Sequence, residues 1–112
     1  MSRRDAAAVA AAPVFFALGD ETRLRLVARL ASDGPLAIAT LSAEADVTRQ
    51  AVTKHLHALA DAGLVRARAP GGSRQRVWEL QPRRLHEARS YLERISREWD
   101  GALQRLRAFV EE

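Results

Sequence analysis

Eight apolar residues in the last third of the chain recur at alternating intervals of three and four positions, the spacing of one face of a long helix. We name this set the seam; it consists of Leu85, Ala88, Leu92, Ile95, Trp99, Ala102, Leu106 and Phe109. The seam predicts a helix over residues 82–110. A chain of 112 residues has too small a body to cover the whole seam, so a second copy of the chain is its expected cover. Packing of the seam on its own domain alone is the alternative.

A first helix is expected over residues 6–18. Pro13 allows two starts for it, because proline also fits the first turn of a helix that begins near Ala12. In a symmetric homodimer this helix is expected to lie beside the long last helix. The predicted dimer interface consists of Phe15, Phe16, Leu92, Ile95, Trp99, Ala102, Leu106 and Phe109.

A second helix is expected over residues 21–31, with Asp20 as its N-cap and a breaker at residues 32–35. Four apolar residues of this helix are spaced for one inner face. They are Leu24, Val27, Ala28 and Ala31.

The next segment has the pattern of a helix-turn-helix. A short helix over residues 39–45 is followed by a tight turn at Asp46, after which Thr48 can cap a helix that ends near residue 62. That helix has a narrow apolar stripe, which we name the stripe: Val52, Leu56 and Leu59. Two helices joined by so short a turn predict a helix-turn-helix at about 39–62.

A β-hairpin, or wing, is expected over about 64–80. Residues 64–69 and 74–80 have strand character, and the Pro-Gly-Gly-Ser segment at 70–73 is a strong turn signal. The predicted fold is mainly α with a small β-hairpin: a winged helix-turn-helix with a long C-terminal dimerisation helix. We expect residues 1–112 to form one domain.

Positive charge is concentrated in the middle of the chain. Residues 48–84 contain eight basic and two acidic side chains, whereas the whole chain has a net charge of only +4. This distribution is typical of a nucleic-acid-binding face, the alternative being an ordinary solvated surface.

The candidate DNA contacts lie on two elements. With Val52 taken as the inward direction, Gln50, Thr53, Lys54 and His57 point outward on the second helix of the helix-turn-helix. Thr48 and Arg49 stand at its start, where backbone N–H groups can also meet a phosphate. On the wing, Arg74 and Arg76 follow the glycine tip. His55 lies at the flank of the stripe, where a structural or phosphate-facing role is favoured over base reading.

Three segments resemble one protein family. The run Ala17–Leu26 (ALGDETRLRL) is similar to the opening signature of ArsR-type bacterial transcriptional repressors. The segment Val52–Val65 resembles their recognition-helix signature, and Arg74–Leu80 fits the exit of their wing. The resemblance covers residues 14–110 and implies a homodimeric repressor that binds double-stranded DNA.

The sequence departs from the family pattern at positions that bear on metal sensing. The chain has no cysteine, so the cysteine pair by which many members sense metals is missing. The last helix offers only His86 among histidines, too few for the zinc-type site. Tyr91-Leu92 and Trp99-Asp100 resemble a subgroup without metal sites. Asp46 stands where the family usually has glycine, and aspartate tolerates a left-handed backbone better than most residues.

Other function classes are disfavoured. No metalloprotease, phosphate-loop or serine-elbow motif occurs, so the chain is not expected to be an enzyme or to bind a cofactor or metal. The longest uncharged run, residues 6–19, is too short to span a bilayer, and a cytoplasmic location is expected. The predicted function is a DNA-binding repressor that does not respond to metals, whose effector is unknown. The alternative is a winged-helix module that binds another protein.

Overall fold

The computed structural model describes residues 1–111 and consists of five α-helices and a small antiparallel sheet. The helices are α1 (Arg3–Leu18), α2 (Glu21–Asp33), α3 (Ile38–Ala45), α4 (Arg49–Asp61) and α5 (Pro82–Glu111). The strands are β1 (Leu36–Ala37), β2 (Val65–Arg68) and β3 (Val77–Leu80). The predicted fold class, mainly α with a small β component and a long last helix, is confirmed.

Helix α1 begins earlier than expected and runs unbroken through Pro13. Its start is a capping box: the hydroxyl of Ser2 accepts the backbone N–H of Asp5 at 3.1 Å, while the carboxylate of Asp5 accepts the backbone N–H of Ser2 at 3.4 Å. The prediction of a start near residue 6 or at Ala12 was therefore wrong. Residues on both sides of Pro13 are buried, which holds the two halves of the helix in line despite the missing N–H.

Helix α2 presents a different face to the core than its spacing suggested. Leu26 and Leu30 are buried, whereas Leu24 is 51% exposed and Ala28 and Ala31 lie at the surface. The expected inner face was wrong, except that Val27 packs partly against the core. Apolar residues at 24, 26, 27 and 30 allow two overlapping helical faces, and the packing against α1, α3 and α4 selects the one with the larger pair of leucines.

Helices α3 and α4 form the predicted helix-turn-helix. The turn is made by Asp46, whose φ of 54° is left-handed, as the resemblance requires of this position. Thr48 caps α4, because its hydroxyl accepts the backbone N–H of Ala51 at 3.1 Å. All three stripe residues are 0% exposed, so the predicted buried face of α4 is confirmed.

The sheet has one strand more than the predicted hairpin. Its order is β1-β3-β2, with Leu36 opposite Trp78 and Val65 opposite Leu80. The added strand β1 has only two residues, too few for a pattern in the sequence. Strand β3 begins at Val77, so Arg74 and Arg76 precede the strand rather than belonging to it.

Helix α5 packs along α1 over about its first half, as far as Glu98, which lies 3.6 Å from Arg4, and then extends beyond the other helices. The rings of Phe15 and Tyr91 lie 6.1 Å apart where the two helices meet. Leu85 and Ala88 of the seam are covered by the chain itself, but Trp99 is 63% exposed and Phe109 76%. The single chain therefore covers only the first part of the seam, and the alternative that the whole seam packs on its own domain does not hold for it. No helix within residues 1–111 is long and apolar enough to cross a membrane.

Candidate nucleic-acid interface

The outer face of α4 gathers most of the candidate DNA contacts. Because the stripe is completely buried, the opposite side of the helix faces solvent, and Thr48, Arg49 and Gln50 are all exposed at its start. A shallow groove with a volume of ≈ 500 Å³ runs over this face. It is lined by Ile38, Arg49, Gln50, Thr53 and Lys54.

Thr53 is less free than its position on the helix suggested. Its hydroxyl donates a hydrogen bond of 2.9 Å to the backbone carbonyl of Arg49, one turn earlier. The hydroxyl oxygen can still accept a hydrogen bond, whereas its proton is already used. Thr53 is also half-buried, so its contact with a base is restricted to acceptance or to its methyl group.

His57 connects the outer face of α4 to the wing. The residue is exposed, as predicted, but its ring lies 5.8 Å from the ring of Trp78 on β3, in a tilted arrangement. This contact depends on how the wing folds back on α4 and has no signal in the sequence.

His55 belongs to a structural network instead of the outer face. Its Nδ1 accepts a hydrogen bond of 3.2 Å from Nε of Arg23 and lies 3.7 Å from Oδ2 of Asp20. Nη1 of Arg23 also donates to the carbonyl of Ala17 at 3.4 Å, so one guanidinium joins α1, α2 and α4. The structural reading of His55 is favoured by this geometry, and the part played by Arg23 was missed from the sequence.

Asp20 completes the same network at the start of α2. Its carboxylate accepts the backbone N–H of Arg23 at 3.0 Å. This hydrogen bond, helped by the nearby His55 and Arg23 side chains, holds the pKa of Asp20 below its ordinary value.

The eight basic residues of segment 48–84 divide into two groups. Four are paired with carboxylates: Arg66 and Arg68 with Glu79, and Arg83 and Arg84 with Glu87. Among the described residues 1–111, the other four make no such ion pair: Arg49, Lys54, Arg74 and Arg76. The unpaired cations are therefore those at the start of α4 and beside the wing tip.

A family model described as a helix-turn-helix domain matches residues 18–68, which run from the end of α1 through β2. The HTH-type transcriptional regulator Rv2034 of Mycobacterium tuberculosis is 45% identical over 87 residues, which cover 78% of this chain and 76% of that protein. A solved ArsR-like transcriptional regulator from Rhodococcus sp. RHA1 superimposes with a TM-score of 0.77 at 34% identity, over 90% of this chain and 92% of the other. The chain belongs to the ArsR-type family of transcriptional regulators. The resemblance seen in the sequence is thereby confirmed.

Membership in this family also fixes the broad function. The chain is a transcriptional regulator, and its helix-turn-helix is a DNA-binding domain. Its relatives are named as regulators, not enzymes, which confirms the prediction that the chain is not an enzyme. In the part of the regulator that the structure describes, no three histidine or acidic side chains are grouped as metal ligands would be.

Proposed function

We propose that this ArsR-type regulator is a cytoplasmic homodimer that recognises a specific operator in double-stranded DNA, represses transcription and does not respond to metals. The observation that carries the proposal is the division of cations described above. The four unpaired side chains stand on the two elements that a winged helix-turn-helix applies to DNA.

The two elements are given different tasks in this proposal. Gln50, Thr53 and His57 on the outer face of α4 reach the edges of bases in the major groove, where glutamine suits adenine. Thr48 caps α4, and Arg49 and Lys54 line the groove on the surface of that helix. These three residues hold phosphates or a guanine edge. Arg74 and Arg76 beside the wing tip contact phosphates or a narrow minor groove.

The exposed part of the seam supports the dimeric state. Large side chains such as Trp99, Leu106 and Phe109 stay more than half exposed in the single chain, and a contiguous apolar face of this kind marks an interface. A symmetric dimer that pairs through α5 would present two copies of α4 to the same DNA. The proposed interface comprises Phe15, Phe16, Leu92, Ile95, Trp99, Ala102, Leu106 and Phe109.

The experiment compares two variants on two DNAs. An operator is first selected from a pool of random duplexes, and binding to it and to random duplex is then followed by fluorescence anisotropy over a series of salt concentrations. Gln50→Ala is expected to reduce the preference for the operator by about 1–3 kcal/mol and to leave binding to random duplex nearly unchanged. Arg74→Ala is expected to weaken both and to reduce the salt slope by about one unit.

Three results would contradict parts of the proposal. If the wild-type protein binds no duplex at low salt, the chain is instead a winged-helix module for another protein. If Arg74→Ala changes neither affinity nor slope, the wing does not touch DNA. If stoichiometric zinc releases the operator and a chelator reverses the release, the regulator responds to metal.

A further inference from the structure

Glu79 has an unusual position within the basic segment. It lies on β3 directly opposite Arg66 of β2, and Arg68 stands on the same face two pairs further along the hairpin. Each carboxylate oxygen takes one guanidinium: Oε1 lies 2.8 Å from Nε of Arg66, and Oε2 lies 3.2 Å from Nε of Arg68. A single acidic residue thus engages both arginines of the first wing strand.

The exposure of the three side chains differs in a way that matters for DNA. The Glu79 side chain is only 16% exposed, whereas those of Arg66 and Arg68 are more than half exposed. The carboxylate is therefore held at the sheet and shielded from water, while the guanidinium groups lie at the surface. Shielding makes this attraction stronger than that of a fully solvated pair.

The wing therefore has paired arginines on its first strand and, in the part of the chain that the structure describes, unpaired arginines near its tip. The strand arginines Arg66 and Arg68 are held and partly neutralised by Glu79, whereas Arg74 and Arg76 near the tip have no carboxylate partner among residues 1–111. A phosphate would have to compete with Glu79 for either strand arginine. Phosphate contacts raise affinity for every sequence equally and carry no sequence information.

We infer that Glu79 restrains DNA affinity through Arg66 and Arg68: it keeps both arginines from binding phosphates and so lowers the affinity for duplex DNA of every sequence. Glu79 is a positioning residue in this role, because it touches the arginines and not the DNA. The inference rests on the DNA-binding function proposed above. Failure of the proposed function and failure of this inference give different results. If the proposed function is wrong, the wild-type protein binds no duplex. If only the role of Glu79 is wrong, the wild-type protein binds duplex and the Glu79 variant binds it in the same way.

The test uses Glu79→Gln, which keeps the size of the side chain and removes its charge. Binding to random duplex is expected to tighten, and the salt slope is expected to steepen by about 0.9 for each arginine that gains a phosphate. Operator binding is expected to tighten by the same factor, so the ratio of operator to random affinity stays unchanged. Thermal unfolding followed by circular dichroism checks that the variant is folded.

Glu93→Gln is the matched control. Glu93 also accepts a hydrogen bond from an arginine, Nε of Arg89 at 2.9 Å, but on α5. Its substitution changes the net charge by the same amount as Glu79→Gln. Because Glu93 lies on α5 and not on α4 or the wing, its substitution is expected to leave the salt slope unchanged. The inference is overturned if Glu79→Gln behaves like the wild type, or if Glu93→Gln steepens the slope equally.

A second set of variants tests the arginines directly and does not need Glu79→Gln to fold. With Glu79 intact, the double variant Arg66→Gln/Arg68→Gln is expected to keep the wild-type salt slope on random duplex. Added to Glu79→Gln, the same pair is expected to restore that slope. A lower slope in the first variant, or no restoration in the second, contradicts the inference.

Discussion

The stripe on α4 and the seam on α5 have the same kind of helical spacing but opposite surroundings. Every residue of the stripe is completely buried by α1–α3 and the sheet, whereas most of the seam faces solvent. Leu56 is 0% exposed, and Phe109, at the far end of the seam, is 76% exposed. The difference teaches that helical spacing identifies a face that needs cover without identifying what covers it.

Chain length explains why the two faces differ. Helix α4 has 13 residues and lies between other helices, whereas α5 has 30 residues and extends beyond them. A helix rises by about 1.5 Å per residue, so α5 is about 45 Å long, more than the rest of so small a chain can cover. The stripe therefore stabilises the protomer, and we expect the seam to stabilise a dimer.

The largest expected effect comes from Trp99→Ala. If a second copy covers Trp99, the substitution should cost the dimer about 3–5 kcal/mol per buried ring. Light scattering and unfolding over a range of protein concentrations measure it. A wild-type protein that light scattering shows to be monomeric at tens of micromolar would contradict the expectation that the seam stabilises a dimer.

Leu56→Ala should act on the protomer instead. Removal of a completely buried leucine is expected to cost about 2–5 kcal/mol of unfolding free energy. Denaturant unfolding measures this loss, and light scattering of the folded variant should show an unchanged dimer. A variant that loses dimerisation before it loses secondary structure would show that the two faces are not independent.

Asp20 gives a smaller, pH-dependent effect on the body of the protomer. Since its pKa is lowered by folding from an ordinary 3.8, its stabilising hydrogen bond is complete above that value and is lost as the pH falls through the lowered pKa. Asp20→Asn keeps the cap without the titration. The fall in melting temperature between neutral pH and strong acid should therefore be smaller in the variant. An equal fall in both proteins would remove Asp20 from the acid response.

The smallest effect is expected at Leu24, an exposed leucine outside both faces. Leu24→Ala should change the unfolding free energy by no more than about 0.5 kcal/mol, because little apolar surface is uncovered. Its dimerisation should equal that of the wild type. A loss as large as that of Leu56→Ala would mean that the face of α2 first expected from the sequence is buried after all.

Much of the fold could be predicted because its signals are local. The cap at Thr48, the stripe and the turn at Asp46 each depend on residues within a few positions of one another. The strand β1 could not be predicted, since two residues have no periodicity and its pairing with Trp78 is set by the folded chain. The face of α2 could not be chosen because two sets of apolar residues both fit a helix.

The candidate site was predictable to a lesser degree. The positions of Gln50 and Lys54 on the outer face follow from the stripe, so periodicity was sufficient to place them. The position of Arg49 follows from the predicted start of the helix. Partners that come from distant segments were not visible: the contact of His57 with Trp78 and the engagement of Arg66 by Glu79 depend on the register of the sheet. Spacing along one helix predicts which way a side chain points, whereas the partner of a charged side chain can be identified only from the tertiary structure.

The short strand β1 also has a consequence for the order in which the protein folds. Its pairing joins Leu36 to Trp78, so it closes a loop of about 40 residues with only two residue pairs. Helices with local contacts form faster than such long-range pairings, which reward the chain only after the loop is closed. We therefore expect β1 to dock late in folding and to be among the first contacts to open in the native state, loosening the wing while α4 stays packed.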